Sequence, residues 1–223
     1  MFDGFTQKTS DFLWELAFNN ERAWFLNHKE EFEQVLNTPF KLLAKETYEL
    51  FTLRFPELDC KLHIARIYRD ARRLHGRGPY KDHLWFSIKK TSELLEGPTF
   101  WFEIGAADYS YGMGFYSATS EQMAEYRRRI DANPAAFERL ALDVAGHSEF
   151  KIFGEEYKRP KGDYEGIIAQ WYNRKRLGLE CCRDFGGDVL SPNLPEILVD
   201  GFEKLMPMYE FFLSFYHVSD EHK

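Results

Sequence analysis

Cysteine is scarce in this chain. Cys60 and the neighbours Cys181 and Cys182 are the three among 223 residues. An odd number with no C-x-x-C spacing supports neither a disulfide framework nor a tetrahedral zinc site, and inert buried thiols are the expectation. No apolar run approaches the roughly 20 residues needed to cross a bilayer. The opening MFDGFTQKTSDF has an acid near its start and no apolar leader core, so a reducing cytoplasm is the expected compartment. G-x-G-x-x-G and P-loop patterns are both missing, which leaves no support for a doubly wound parallel sheet, and no cofactor is expected. Repeats, low-complexity tracts and linkers are missing too, so residues 1–223 are expected to form a single domain. Positive charge is in deficit, with 29 Lys and Arg against 36 Asp and Glu, a net charge of -7. That balance argues against general nucleic-acid binding.

Aromatic residues are plentiful. They make up 17% of the chain, with 21 Phe and 12 Tyr, and rings of that size favour a well-packed globule over disorder. Helical spacing of apolar residues runs from Thr6 to Phe18, with Thr9 or Ser10 available as a cap. It continues from Asn20 to Leu36, and again after Thr38-Pro39, where a helix is expected to restart, up to Pro56. Two-residue alternation follows: Leu62 to Arg69, Leu84 to Ile88, Thr99 to Ile104 and Tyr109 to Tyr116, the last two as a hairpin. Gly112 and Gly114 in the fourth strand mark a bulge or a close backbone approach. Helices are expected from Thr119 or Ser120 to Arg129, from Asn133-Pro134 to Ala145, and over 166–175. Short strands are expected at 149–153 and 177–185, and a long amphipathic helix, kinked at Pro207, from Leu194 to Tyr216. Consecutive strands flanked by helices predict an α+β fold with a mainly antiparallel or mixed central sheet, an N-terminal helical region and a long C-terminal helix.

The stretch HIARIYRDARRLHGRGPYKDH, from His63 to His83, stands apart. Between Lys61 and Lys81 lie seven Lys and Arg and one acid, Asp70. The segment therefore carries +6, and the remaining chain carries -13. A cationic island in an acidic chain can focus a small anion, but its arginines can equally pair with the surplus acids. Arginine does not release its proton near neutral pH, so the cluster speaks for binding rather than acid-base work. Arg66, Arg69, Arg72 and Lys81 are the candidate ligand-binding residues. Strand alternation puts Arg66, Tyr68 and Asp70 on one side and Arg69 on the other, with Asp70 holding a neighbouring guanidinium. Gly76, Gly78 and Pro79 allow a tight turn with exposed N–H groups. Tyr80, His83 and Asp70 are the candidates for proton transfer. His63, His75 and His83 lack metal-ligand spacing, so no metal is expected. The runs Lys158, Arg159, Lys161 and Arg174, Lys175, Arg176 read as solvated faces.

The string Arg66-x-x-Arg69-Asp70-x-Arg72 followed by Pro79-Tyr80-Lys81 resembles the signature of a conserved hypothetical family, domain-of-unknown-function family 2461. FLWELAFNNERAWF, YGMGFY, YKRPKGD and WYNRKRLGL extend the resemblance over nearly the whole chain. The chain departs from the family's usual residues at Arg73, Gly76 and Arg77. The resemblance implies one domain and no activity. Two expectations stand side by side. In one, a cytoplasmic α+β protein, which could be an enzyme, binds a small phosphate- or carboxylate-bearing ligand. In the other, a non-enzymatic module uses its Arg/Asp cluster as a structural clamp and meets a protein partner elsewhere. Single-stranded nucleic acid on Trp101 and Tyr111 is a third expectation, opposed by the acidic remainder. Oligomeric state has no signature here.

Overall fold

The computed structural model describes residues 1–70, 72, 76–91, 97–115 and 118–216. The expectations for Arg73, His75 and Tyr116 lie outside the described residues. Among the described residues, six strands form one antiparallel sheet: β1 (Cys60–Ile64), β2 (His83–Lys90), β3 (Thr99–Gly105), β4 (Asp108–Gly114), β5 (Lys151–Phe153) and β6 (Gly178–Asp184). Their order is β1-β2-β3-β4-β6-β5. With the helices this is an α+β fold, and none of the described helices is long and apolar enough to cross a membrane. The chain divides into two compact units, one comprising Met1–Ile88, Trp101–Tyr111 and Cys182–Asp200, the other Lys89–Phe100, Gly112–Cys181 and Gly201–Lys223.

The first unit begins with α1 (Gln7–Phe18). Its N-cap is Thr6, in extended conformation, and not Thr9 or Ser10. Thr9 lies one turn in and accepts the Thr6 N–H at 3.3 Å through Oγ1, while Ser10 Oγ donates to the Ala106 carbonyl at 2.6 Å. After α2 (Arg22–Asn27) and α3 (Lys29–Phe32) the helix does not stop and restart at Thr38-Pro39. It passes through a π turn, Glu33–Asn37, directly into α4 (Thr38–Arg54). The cause is Pro39, which has no N–H to give to the Val35 carbonyl four residues back. The buried Thr9 hydroxyl donates to that carbonyl instead, at 2.7 Å. Phe32, Leu36, Phe40, Leu43, Ala44 and Phe51 stay on the buried side throughout.

That side meets the sheet. Phe40 packs at 5.8 Å from Phe86 and 6.2 Å from Phe102, and those two rings stack at 5.5 Å. Each ring so buried stabilises the fold by roughly 1.5–3 kcal/mol. Strand alternation is as expected: Leu84, Phe86, Phe102 and Ile104 are buried, whereas His83, Trp85, Trp101 and Glu103 on the opposite face are partly exposed.

In the second unit Gly112 and Gly114 make the close approach expected of them. A Cβ on Gly112 would overlap the Leu179 carbonyl oxygen, and one on Gly114 would sit 2.5 Å from that of Leu177. Helix α5 (Ser120–Ala132) is capped by Thr119, which accepts the Gln122 N–H at 3.2 Å. The next helix, α6 (Pro134–Ala145), is capped by Asn133, which accepts that of Ala136 at 3.2 Å. Beyond α7 (Gly166–Tyr172), α8 (Leu194–Tyr216) carries Pro207 without ending there. Within this unit Phe202 and Tyr209 of α8 pack on Phe100, and Phe212 and Phe215 on Phe115. The two later basic runs turn inward to their own neighbours. Glu156 and Arg174 form an antiparallel bridge, Arg174 pairs with Glu156 at 3.3 Å and Lys175 with Glu155 at 3.0 Å. Lys161 lies 4.6 Å from the Tyr157 ring, whose face Arg127 also covers at 5.2 Å. Asp131 accepts hydrogen bonds from Tyr164 and Tyr172, each 3.0 Å. Burial, with Asp131 adding to it, pushes the Tyr172 hydroxyl up to about 12.

Candidate functional site

Strand β1 ends at Ile64, earlier than the alternation predicts, because the ladder to β2 is interrupted beside Arg66. Ala65 N–H donates to the Trp85 carbonyl at 2.9 Å. The next bonds are Lys81 N–H to the Ile67 carbonyl at 2.7 Å and Arg69 N–H to the Pro79 carbonyl at 2.8 Å. In the gap the Arg66 carbonyl accepts from the Lys81 ammonium at 2.7 Å, so a side chain completes what the backbone leaves open. Burial alternates through the gap, with Ala65 and Ile67 in and Arg66 and Tyr68 out.

Tyr68 and Tyr80 face each other in an isolated antiparallel bridge. The bonds on either side make them a non-hydrogen-bonded pair, so the N–H and C=O of Tyr80 point away from Tyr68. Asn20 meets them there. Its Oδ1 accepts the Tyr80 N–H at 2.9 Å and its Nδ2 donates to the Tyr80 carbonyl at 3.0 Å, as a neighbouring strand would. Gly78 is required at this point, since a Cβ on it would overlap Asn20 Cγ and Oδ1. The Tyr80 ring is buried and stacks on Phe25 at 4.1 Å. Burial raises its hydroxyl pKa, Tyr68 adds to this, and Arg22 opposes it.

The arginines divide between two tasks. Arg69, its side chain only 16% exposed, donates Nε to the Tyr80 carbonyl at 2.6 Å and Nη2 to Asp82 at 3.2 Å. Arg72, 88% exposed, grips Asp70 in a fork, Nε to Oδ1 at 3.1 Å and Nη2 to Oδ2 at 2.9 Å, and Asp70 also accepts the Arg72 N–H at 3.0 Å. Asp70 therefore holds a neighbouring guanidinium. Arg66 is exposed, and no described carboxylate lies within ion-pair reach of it.

From Arg69 a polar chain leads onto the partly exposed sheet face. Asp82 Oδ1 lies 3.0 Å from His83 Nδ1, and His83 Nε2 lies 3.9 Å from Glu103 Oε2. Burial pushes Asp82 up, but its own backbone N–H, His83 and Arg69 outweigh this and leave it lowered. Glu103 is raised by burial, then by Asp108 and Asp82, against His83 and Lys81. Lys81 is lowered by burial, then by Arg69 and Arg66, with Glu103 opposing. An acid moved up beside an ammonium moved down is the pattern of groups poised for binding or proton transfer.

The structure thus gathers Arg66, Arg69, Lys81 and His83 around one corner and leaves Arg72 with Asp70 on the exposed loop. Asn20, Asp82 and Glu103 belong to the corner without having been singled out by sequence. Asn20 is 60 residues from the carbonyl it grips, while Asp82 and Glu103 look like ordinary strand-flanking acids. His63 packs 5.3 Å from Trp85, and no group of three or more His, Cys, Asp or Glu among the described residues could hold a metal ion. The corner is an open surface. A depression of about 340 Å³ lies elsewhere, lined by Phe2, Glu33, Thr38 and Pro39 among others, and another of about 260 Å³ is lined by Leu53, Arg54 and Glu196.

These features define an α+β protein with an antiparallel sheet whose Arg-rich ladder end is closed by side chains. Residues 8–211 match the family described as conserved hypothetical protein (DUF2461), and the chain belongs to that family. No curated protein matches the chain.

Proposed function

We propose that the Arg66–Lys81 corner binds a small phosphate- or carboxylate-bearing ligand, on a frame braced by Asn20, Arg69 and the Asp70–Arg72 fork. The observation that carries this is the crowding of cations at Lys81. Arg66 has no carboxylate partner among the described residues, and together with Arg69 it disfavours the charge on the neighbouring ammonium. An arriving anion offsets that repulsion, and Lys81 has donors left beyond the one used on the Arg66 carbonyl. Proton transfer to or from a bound ligand would fall to His83, whose Nδ1 sits against Asp82 and whose Nε2 faces Glu103. An open corner of this kind binds weakly, with a Kd on the order of 1 mM.

A second reading is favoured by Arg69 and Arg72, whose guanidiniums are already engaged: the cluster is a clamp for the 70–78 loop in a non-enzymatic interaction module. A thermal-shift panel of phosphate, sulfate, nucleotides and dicarboxylates separates the two. At 10 mM anion and a Kd of about 1 mM, linkage stabilises by about 1.4 kcal/mol, a rise in Tm of about 4 °C. Arg66→Ala should lose that rise without lowering the ligand-free Tm, and Arg69→Ala should lower the Tm itself. If no anion shifts the wild type, or Arg66→Ala responds like it, binding here is wrong and the clamp stands alone.

A further inference from the structure

We propose that the ligand of this corner joins its anion to a flat aromatic group through a sugar-sized spacer, as a nucleoside monophosphate does, and that Tyr68 is the surface on which the ring stacks. This rests on the anion-binding reading above. Tyr68 is 53% exposed, yet its ring is fixed. Phe25 meets it edge-on at 5.9 Å and Tyr80 at 5.3 Å, and those two rings are buried and stacked on each other. The Tyr68 backbone is fixed as well, by the bridge to Tyr80 and the two ladder bonds beside it. A solvent-facing ring backed by two buried ones is a preorganised platform, because the ordering cost of stacking has already been met in the fold.

Its spacing from the charge fits such a ligand. Arg66 and Tyr68 are the exposed members of the alternating run 65–68. Alternate side chains of an extended chain emerge about 7 Å apart on one side. That distance suits a phosphate on Arg66 and a base over Tyr68 with a sugar between them. Arg22, on α2, stands close enough to the Tyr80 hydroxyl to oppose its raised pKa, so the platform is flanked by cations on two sides. Recognition by stacking needs no Gly-rich phosphate loop. The chain's net charge of -7 favours a mononucleotide over a polyanion.

The test uses the full chain with adenosine 5′-monophosphate, ribose 5-phosphate and inorganic phosphate as titrants, read by calorimetry or chemical-shift perturbation. The mononucleotide should bind about tenfold more tightly than ribose 5-phosphate, the lower end of what one stacked base contributes. Tyr68→Ala should abolish that difference while leaving ribose 5-phosphate binding unchanged, and Tyr68→Phe should preserve it. Equal affinities in the wild type, or an equal loss for both ligands in Tyr68→Ala, would overturn the stacking role while anion binding survives. If none of the three phosphates binds, the anion-binding reading itself falls, a result distinct from either.

Discussion

Asn20→Ala should destabilise the first unit by about 2–3 kcal/mol, and the geometry fixes how that sum arises. Two bonds are lost, Nδ2 to the Tyr80 carbonyl and the Tyr80 N–H to Oδ1. The carbonyl keeps Arg69 Nε as donor, so losing Asn20 there costs about 0.5–1 kcal/mol. The N–H of a residue 2% exposed keeps nothing, and an orphaned buried donor costs about 1–3 kcal/mol. Gly78→Ala should reach a similar figure by another route. Gly78 has no left-handed backbone to strain, so its cost is the overlap of the new methyl with the Asn20 carboxamide, which must swing away and break the same bonds. The two effects are then one effect. The double variant should cost about 2 kcal/mol less than the sum of the singles, far above the few tenths expected of independent sites. Urea unfolding of the four proteins, compared at equal m-values, measures the coupling. Additive penalties, or an Asn20→Ala loss below about 0.5 kcal/mol, would show that Asn20 does not close the ladder.

Thr9→Val should cost about 1–3 kcal/mol in the same assay, because it strands the Val35 carbonyl. Adding Pro39→Ala, which restores an N–H four residues on, should recover much of that loss; no recovery would mean that Thr9 acts by packing alone. Tyr126→Phe should leave stability unchanged or raise it by about 1 kcal/mol, since the Tyr126 hydroxyl is buried without a hydrogen-bond partner among the described residues. A loss above 1 kcal/mol would refute that.

Much of the fold was legible because its signals are local. The two-residue alternation of Phe86 and Ile88 against Trp85, and of Phe100 and Phe102 against Trp101, located β2 and β3, and the periodicity from Leu194 to Tyr216 matched α8. The end of β1 was misplaced because alternation of burial continues through Ile67 and Tyr68 after the ladder has been interrupted, and pattern alone cannot see a hydrogen bond replaced by the Lys81 side chain. The cap of α1 was assigned three residues late. Thr6, Thr9 and Ser10 are equivalent by composition, and only the partners at Val35 and Ala106 distinguish them. At the candidate site the stretch itself was visible as charge, and the opposite sides of Arg66 and Arg69 as strand period. The division between a bracing arginine and an unpaired one was not visible, because it depends on Asp82 and on the Tyr80 carbonyl.

The wide turn before Pro39 has a consequence for how the chain tolerates change in length. Phe32, Leu36 and Phe40 are spaced by four, and at 100° per residue each such step carries the next ring about 40° around a regular helix. The π turn takes up that drift, which is why all three remain in the core. A one-residue deletion between Glu33 and Asn37 would convert the turn to ordinary helix yet rotate everything from Phe40 to Phe51 against the sheet. Register here is set by counting residues, and a conservative substitution would be borne more easily than the loss of one.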